Sequence, residues 1–343
     1  MSEPTSGWSL LARQIIHDVP PSDSAPVLIS AGCPRRSPES QSSPSQSSRR
    51  VAAVSRSYGR HIPTNLVPCS DMAGEVVSVG EDAKPWKTGD RLHKEQTPEI
   101  SASSLGGQSQ GVLVEYRSFP AHSLVSIPSH LTYEEASTLP CAALTAYNAL
   151  VSGYEQVKAG DTVLIQGTGG VSIFALQFAV ASGATCIVLS SSDEKLKTAT
   201  KLGATHVINY KTNPDWHEEV LKLTNDRGVD RVVEVVGNAT LGQSASSSKM
   251  GGSIDIIGHL GSAAGNVPAF DIIRPSIGKQ LNIRGVFVGS VAQFKDMNRL
   301  LSAHPETTRP VIDRVFPFED ARGAFAHLQS QAHVGKVVIK VSA

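Results

Sequence analysis

A glycine-rich turn at residues 167–172 is the segment whose residue types and spacing most clearly indicate chemistry. It reads Gly-Thr-Gly-Gly-Val-Ser and directly follows an apolar strand. In such a turn the first glycine, here Gly167, permits a tight bend, and the second, Gly169, lets the backbone approach a pyrophosphate. A helix that begins near Gly170 would direct its free N–H groups at that phosphate. Ser172 replaces the usual third glycine, and its small side chain should preserve helix–strand packing. The turn predicts a dinucleotide site, although such a turn can also bind nothing.

The end of the next predicted strand indicates which dinucleotide is bound. NAD-binding proteins usually place an acidic residue there, which accepts hydrogen bonds from the ribose 2′-hydroxyl. This strand instead ends in Ser190, Ser191 and Ser192, and Lys195 follows. Serine hydroxyls can donate to a 2′-phosphate, and a lysine ammonium can neutralise it. The pattern favours NADP(H), and the serines could at the same time cap a helix beginning at Asp193.

Residues 160–290, which contain the turn, alternate between apolar strands and helical segments. The predicted strands are Thr162–Gln166, Thr185–Leu189, His206–Ile208, Arg231–Val236, Ser253–Ile257 and Asn282–Val288. Helices are predicted at about residues 170–182, 193–202, 215–226 and 238–249. Strands rich in valine, isoleucine and leucine that alternate with helices are typical of a parallel sheet covered on both faces. A doubly wound α/β domain is therefore expected.

The composition is that of a globular protein with room for about two domains. The 343 residues include 31 Lys and Arg and 31 Asp and Glu, and this balance argues against nucleic acid or an anionic membrane as the main partner. Cys33, Cys69, Cys141 and Cys186 form no C-x-x-C pair, which argues against a disulfide framework or a cysteine-built zinc site. With no long apolar run and no secretory signal, we expect a cytoplasmic protein that acts on a small molecule.

The first 66 residues differ from the remainder. They hold seven arginines and four acidic residues, a net charge of +3, so residues 67–343 carry −3. Seven of the fourteen residues from Ser37 to Arg50 are serine. Because such a composition buries too little apolar surface to offset the entropy of ordering, we expect about residues 20–60 to be mostly unstructured.

From Val67 onward the patterns indicate regular elements. Alternating residues predict strands at Glu75–Gly80 and Gly111–Tyr116, with a turn at Lys87–Asp90 between them. Apolar residues at helical spacing predict helix within Tyr133–Val151. This section should combine short strands with one or two helices.

Several stretches in fixed order carry a family resemblance. They are Asp71–Gly80, Thr88–Arg91, Leu139–Tyr147, the glycine turn, Lys201–Ala204, Ile208–Tyr210 and Gly335–Ile339. Through them, residues 67–343 resemble the medium-chain dehydrogenase/reductase superfamily, specifically its zinc-free quinone-oxidoreductase-like branch. The resemblance implies a GroES-like β-barrel domain at residues 67–150 and 300–343. It also implies a Rossmann domain at residues 151–299, with the nicotinamide cofactor in the cleft between them. Residues 1–66 lie outside the resemblance, and their composition predicts an atypical, largely disordered segment.

The resemblance also assigns the cofactor site. Thr145 would lie near the nicotinamide. The pyrophosphate would be held by Gly167, Gly169, Gly170 and Val171. The adenosine phosphate would be surrounded by Ser191, Lys195 and Tyr210. The nicotinamide wall would be lined by Val236, Gly237, Gly258, Phe287 and Val288. Taken singly, the three apolar residues of that wall are better explained as core.

Zinc-dependent members of the superfamily use a Gly-His-Glu run whose histidine binds the metal. The corresponding run here is Cys69-Ser70-Asp71, and serine is a poor zinc ligand beside imidazole and thiolate. Cys141 falls where a cysteine ligand often occurs but is better explained as a small buried residue. Residues 90–110, where a four-cysteine structural loop would lie, contain no cysteine. No metal site is expected.

Without a metal, an electron-poor double bond is the substrate that requires least from the protein. An enone or quinone spreads the developing negative charge onto its oxygen, so positioning, a hydrogen-bond donor and a water proton suffice. We therefore expect an NADPH-dependent oxidoreductase that transfers hydride to a quinone or an α,β-unsaturated carbonyl, in a biosynthetic pathway. No catalytic residue is assigned. Cys69, Tyr58 and His93 are possible cleft residues that could act as the general acid.

Residues 1–66 lack the family opening, which has strands with a Pro-Gly turn followed by Leu-Asn-x-x-Asp, and this leaves open an alternative to an active reductase. Whether the cause is a divergent N-terminus or a wrongly predicted reading frame, the barrel would lack its first strands. The chain would then be an NADP-binding sensor or partner subunit with impaired catalysis. A zinc-dependent alcohol dehydrogenase is the other alternative, which Ser70 disfavours. The resemblance also implies a homodimer, paired through the strand at about Asn282–Val288.

Overall fold

The computed structural model describes residues 9–12, 26–30, 65–79, 105–107, 109–120, 123–258 and 270–341. These residues form a five-stranded antiparallel sheet, a six-stranded parallel sheet and a two-stranded sheet. No helix in this part of the chain is long and apolar enough to cross a membrane.

The antiparallel sheet includes strands from the first thirty residues. Its strands are β1 (Ser9–Ala12), β2 (Pro26–Ser30), β3 (Met72–Val79), β4 (Tyr116–Pro120) and β5 (Leu124–Ser126), in the order β4-β2-β3-β1-β5. Both β1 and β2 pair with β3, so the expectation that this domain lacks its first strands is wrong. Strand β2 also lies within the stretch expected to be unstructured. The other positions of residues 20–60 and the predicted turn Lys87–Asp90 lie outside the described residues.

A strand was expected at Gly111–Tyr116, but β4 begins only at Tyr116, the last residue of that range. The N–H of Gly111 donates to the carbonyl of Val67 over 2.7 Å, and the N–H of Val112 donates to that of Pro68 over 3.1 Å. These bonds satisfy the backbone of the segment in an irregular loop rather than in a strand ladder.

The helical segment expected within Tyr133–Val151 forms three pieces. They are α1 (Tyr133–Ala136), a π-helical turn (Leu139–Ala143) and α2 (Leu144–Val151). Thr132 Oγ1 accepts from the Glu135 N–H over 3.2 Å, and Glu135 Oε2 accepts from the Thr132 N–H over 2.9 Å, which forms a capping box. Pro140 has no N–H to donate, which accounts for the irregular turn between the two helices.

The parallel sheet contains all six predicted strands. It consists of β6 (Thr162–Gln166), β7 (Thr185–Ser190), β8 (His206–Asn209), β9 (Val229–Glu234), β10 (Ser248–Ile256) and β11 (Asn282–Gly285). However, β9 ends at Glu234 rather than Val236, and β11 ends at Gly285 rather than Val288. The order β11-β10-β9-β6-β7-β8 is that of a doubly wound Rossmann sheet, with the chain reversing direction across the sheet between β6 and β9.

Helices cover both faces of this sheet. They are α3 (Gly170–Ala181), α4 (Asp193–Lys201), α5 (Trp216–Leu223), α6 (Asn238–Ser247), α7 (Ile273–Lys279) and α8 (Val291–Ala303). Val163 and Ile165 of β6 pack with Phe174 of α3. Leu164, between them, packs with Trp216 of α5 on the other face. A strand buried on both faces is apolar throughout, which is why its position could be predicted closely.

The C-terminal elements contact both halves of the chain. They are β12 (Ile312–Pro317), α9 (Ala321–Ser330) and β13 (Lys336–Lys340), and β12 pairs in parallel with β13. Lys340 Nζ lies 3.0 Å from Glu134 Oε1, and the Gly335 N–H donates to the Thr168 carbonyl over 3.0 Å. Assignment of residues 300–343 to the barrel domain, like the pairing of two chains through β11, stays a prediction.

Buried charges connect three neighbouring strands to α2. Asp255 of β10, which is 1% exposed, accepts from Arg231 of β9 over 2.5 Å and from Arg284 of β11 over 2.9 Å. Arg231 also donates to the carbonyl of Ala149 over 3.0 Å, and Arg284 to that of Asn148 over 2.8 Å. These carbonyls lie in the last turn of α2, where the negative end of the helix dipole attracts cations. The network therefore fixes the end of α2 to the sheet.

Replacing Asp255 by Asn should lower the free energy of unfolding by about 3–5 kcal/mol, because it leaves the buried Arg231 guanidinium without its counter-charge. Urea denaturation followed by far-ultraviolet circular dichroism measures this change. Asp296→Asn is the control, since Asp296 pairs with Arg299 at an exposed site, and it should cost less than about 1 kcal/mol. Equal losses in the two variants would contradict a role for the buried network.

Candidate cofactor-binding site

The glycine turn joins β6 to α3 at the carboxyl edge of the parallel sheet. Gly167 has φ +76°, a left-handed conformation that glycine adopts without strain, and its N–H donates to the Leu189 carbonyl over 2.7 Å. A Cβ on Gly169 would have no atom within 4 Å, so this glycine faces open space. Ser172 Oγ donates to the Gln166 carbonyl over 2.6 Å. The turn therefore forms an open cradle that a phosphate group fits.

Helix α3 begins directly behind the cradle. The N–H groups of its first turn have no partner within the helix, and they and the helix dipole attract an anion. On the other side the chain packs tightly: a Cβ on Gly170 would lie 2.7 Å from Lys336 Cδ and 3.2 Å from Ala142 Cβ. Val171 packs against the main apolar core. The first turn of α3 is thus held from behind, with its N–H groups directed at the cradle.

Three predicted residues lie along one rim, at the carboxyl ends of β7 and β8. Ser191 follows β7 directly, and Lys195 is in the first turn of α4. The Tyr210 N–H donates to the Ser190 carbonyl over 3.0 Å, and the Tyr210 side chain is exposed. Lys195 Nζ donates to the Gln331 carbonyl over 2.5 Å. The rim thus combines a hydroxyl, an ammonium and an exposed aromatic ring.

The opposite side of the cradle depends on Glu234, the last residue of β9, whose surface is 0% exposed. Its Oε2 accepts from Gln166 Nε2 over 2.7 Å and from Ser244 Oγ over 2.5 Å. Gln166 Oε1 in turn accepts from the Val235 N–H over 3.2 Å. Because Gln166 directly precedes Gly167, these bonds link the start of the glycine turn to β9 and α6.

The other oxygen of Glu234 orders the segment expected to line the nicotinamide. Its Oε1 accepts from the Val236 N–H over 3.0 Å, the Gly237 N–H over 2.9 Å and Thr240 Oγ1 over 2.7 Å. Gly237 has φ +98°, a conformation that favours glycine. A Cβ on Gly258 would overlap a backbone carbonyl of this segment. The structure therefore brings these three predicted wall residues together, with Val236 half-buried.

Helix α2 and the segment after β11 form a third wall. Thr145 is buried on α2, and Asn148, one turn later, donates from Nδ2 to the Val288 carbonyl over 2.7 Å. Val288 has φ +48°, which is unusual for a β-branched residue and indicates a constrained backbone. Its side chain lies in the core, whereas that of Phe287 is 44% exposed. The core explanation thus fits Val288 but not Phe287.

Sequence reasoning did not assign Gln166, Glu234 or Asn148, although these three polar side chains hold the walls in place. Glu234 ends a strand of otherwise mostly apolar residues, and Gln166 ends the strand before the glycine turn. A polar residue at the carboxyl end of an apolar strand must be hydrogen-bonded once buried. That signal could have identified both of them beside the expected ligand.

The residues that stand where zinc-dependent members of the superfamily have metal ligands make other interactions in this structure. Ser70 Oγ donates to Asp71 Oδ1 over 2.7 Å, and Lys336 Nζ lies 3.9 Å from Asp71 Oδ2. Cys141 packs against the main apolar core. Among the residues that the structure describes, no group of three or more His, Cys, Asp and Glu side chains could hold a metal ion.

Of the three cleft candidates for a proton donor, Cys69 alone lies in the described ranges; Tyr58 and His93 lie outside them. Burial raises the pKa of the Cys69 thiol to about 12, and the carboxyl group of Asp71 contributes to the increase. A thiol that holds its proton this firmly is a poor proton donor at neutral pH. The structure therefore gives no support to Cys69 in this role.

Two family models match the chain. The model described as the alcohol dehydrogenase GroES-like domain matches residues 48–129, and the model described as zinc-binding dehydrogenase matches residues 170–303. The first match begins at residue 48, so family-like sequence extends into the segment 1–66 that was expected to be atypical. The first match includes β3, β4 and β5 of the antiparallel sheet, and the second includes the strands β7 to β11 of the parallel sheet.

Known proteins are similar over most of their length. The zinc-type alcohol dehydrogenase-like protein of Schizosaccharomyces pombe is 46% identical over 286 residues, which are 80% of this chain and 82% of that protein. Human quinone oxidoreductase is 27% identical over 291 residues, 83% of each chain. A crystal structure of a candidate alcohol dehydrogenase from Sinorhizobium meliloti 1021 has a TM-score of 0.77 at 34% identity, covering 97% of this chain and 99% of that one. The chain therefore belongs to the medium-chain dehydrogenase/reductase superfamily, whose members are oxidoreductases that bind nicotinamide cofactors.

Proposed function

We propose that this oxidoreductase uses NADPH and transfers hydride to a quinone or an α,β-unsaturated carbonyl without a metal. The observation that carries the choice of cofactor is the rim after β7, where Ser191 and Lys195 replace the acidic residue of NAD-binding proteins. The first acidic residue after the strand, Asp193, accepts a hydrogen bond from Asn209 Nδ2 over 2.8 Å through Oδ1. A 2′-phosphate would therefore meet an ammonium and a hydroxyl.

In this proposal, each wall around the cradle has a separate role in binding the cofactor and the substrate. When bound, the reduced nicotinamide supplies a hydride to the electron-poor carbon while the double-bond electrons move to the conjugated oxygen. Gly167 and Gly169 would hold the pyrophosphate by backbone contact, and Thr145 and Phe287 would bound the space for the ring and exclude water from it. The substrate oxygen carries the developing charge and takes its proton from water, so positioning is the main contribution of the protein.

Two observations support hydride transfer without a metal. The hydroxyl of Ser70 already donates to Asp71, and serine is a poor zinc ligand. Human quinone oxidoreductase, by its name, acts on quinones, and it resembles this chain over 83% of its length. Quinones and enones stabilise the negative charge that a metal would otherwise stabilise, so this substrate class fits the residues present.

Lys195→Glu should raise the Kd for NADPH about tenfold to hundredfold, because it replaces a charge-assisted hydrogen bond by repulsion. The Kd for NADH should stay the same, since NADH lacks the 2′-phosphate. Both constants are measured by nucleotide fluorescence titration. Lys197→Glu is the matched control: the charge change is equal and on the same helix, but Lys197 is exposed and paired with Glu194. Unchanged NADPH binding in Lys195→Glu would contradict the choice of NADPH.

Glu234→Gln should instead weaken the binding of NADPH and NADH equally, by about tenfold. An amide nitrogen at this position would face donors where an oxygen now accepts, and each unsatisfied buried group costs about 1–3 kcal/mol. The same titrations measure the effect, and thermal unfolding measures the loss of stability. Native affinity for both nucleotides in a folded but less stable variant would show that the network does not position the cradle.

The purified protein should oxidise NADPH when a small quinone or an enone is added, and dialysis against a chelator should leave the rate unchanged. Absorbance at the NADPH band measures the rate before and after dialysis, and elemental analysis measures the zinc bound to the protein. Saturable NADPH binding with no turnover of any acceptor would favour the nucleotide-binding sensor or partner subunit. Stoichiometric zinc whose removal abolishes turnover would favour a metal-dependent alcohol dehydrogenase.

A further inference from the structure

The loop between α9 and β13, residues 331–335, touches the cofactor side of the sheet at both ends. We call it the C-terminal loop. At its start, the Gln331 carbonyl accepts from Lys195 Nζ over 2.5 Å. At its end, the Gly335 N–H donates to the Thr168 carbonyl of the glycine turn over 3.0 Å. The loop therefore runs between the two places that would hold the phosphates of a dinucleotide.

His333 lies in the middle of the C-terminal loop and is half-buried. Its Nδ1 atom is buried and has no hydrogen-bond partner among the described residues. Because both ring nitrogens of an imidazolium are donors, a buried nitrogen without an acceptor disfavours the charged form. Burial accordingly lowers the pKa of His333, and the ammonium of Lys195 lowers it further.

The other charged groups around His333 come from three further elements. Asp313 of β12 raises the pKa of His333, whereas His327 of α9 and Lys336 of β13 lower it. The Asp313 carboxylate is already shared, since Oδ2 lies 2.7 Å from His327 Nε2 and Oδ1 accepts from the Val334 N–H over 3.0 Å. Of the charges that act on His333, that of Lys195 has the largest effect.

We propose that His333 is a proton-linked specificity residue, which takes up a proton from solvent when a 2′-phosphate binds beside Lys195. This inference rests on the proposed function, since it requires the NADP(H) site at Lys195. A dianionic phosphate reverses the sign of the local charge and so favours the imidazolium. The imidazolium then adds a second positive charge at the rim. NAD(H), which has no such phosphate, leaves His333 neutral.

Whether protons are taken up or released on binding shows whether the titrating group is His333 or the phosphate of the ligand. A phosphate monoester titrates near pH 6 and is mostly a dianion at pH 7, so binding to a cationic site can only release its remaining protons. Net uptake at pH 7 must therefore come from the protein. Since the bound state holds more protons, affinity for NADP+ should rise as the pH falls toward 6.5.

Isothermal titration calorimetry at pH 7, in two buffers with different ionisation enthalpies, counts the protons. The unmodified protein should take up about half a proton or more per NADP+ bound, and close to none per NAD+. In His333→Gln this uptake should be lost, and the affinity for NADP+ at pH 6.5 should fall about threefold to tenfold with that for NAD+ unchanged. His217→Gln is the control, because His217 of α5 pairs with Gln243 of α6, away from the C-terminal loop.

Equal proton counts for NADP+ and NAD+ in the unmodified protein would overturn the inference, and this result needs no variant that folds. Uptake that persists in His333→Gln would overturn it as well. Failure of the proposed cofactor choice has a different signature, in which Lys195→Glu leaves the affinity for NADP+ unchanged. Loss of NADP+ affinity in Lys195→Glu, with proton uptake retained in His333→Gln, would reject the role of His333 alone.

Discussion

A carboxyl group with no exposed surface needs hydrogen-bond donors for both oxygens, and Glu234 obtains five of them. They come from the end of β6, from the segment after β9 and from α6. Leaving any of these groups unpaired in a buried place would cost about 1–3 kcal/mol. The three segments therefore cannot shift independently, and the glycine turn and the adjacent wall keep a fixed spacing.

Strand β9 carries this constraint because it is buried along its whole length yet holds three charged residues. Asp230 and Arg231 stand near its start, and Glu234 ends it. Arg231 and Asp255 fix the last turn of α2, while Glu234 fixes the glycine turn. Thr145 on α2 and Gly167 in the turn are thus positioned from two ends of one strand. Buried charges are costly unless fully paired, so each end needs its complete set of partners.

The sequence was informative where structure is decided locally. Strand β6 was predicted at its observed bounds, because a strand buried on both faces is apolar throughout. The glycine turn was identified because its conformation requires particular residue types in a short segment. Strands β1 and β2 were missed because their pairing with β3 depends on contacts across some sixty and fifty residues, respectively, which local composition does not encode. Likewise, Gln166 and Glu234 are separated by 68 residues, and only the sheet order brings them together.

Lys336 connects the cofactor side to residues 69–71, the segment that was compared with the zinc ligands of other family members. Its stem packs on the first turn of α3, where a Cβ on Gly170 would approach Cδ to 2.7 Å. Its ammonium lies 3.9 Å from Asp71, whose other oxygen accepts from Ser70. An ammonium at that distance repels a divalent cation and partly neutralises the carboxylate that would attract one. The lysine that packs behind the cradle thus also places positive charge beside Asp71.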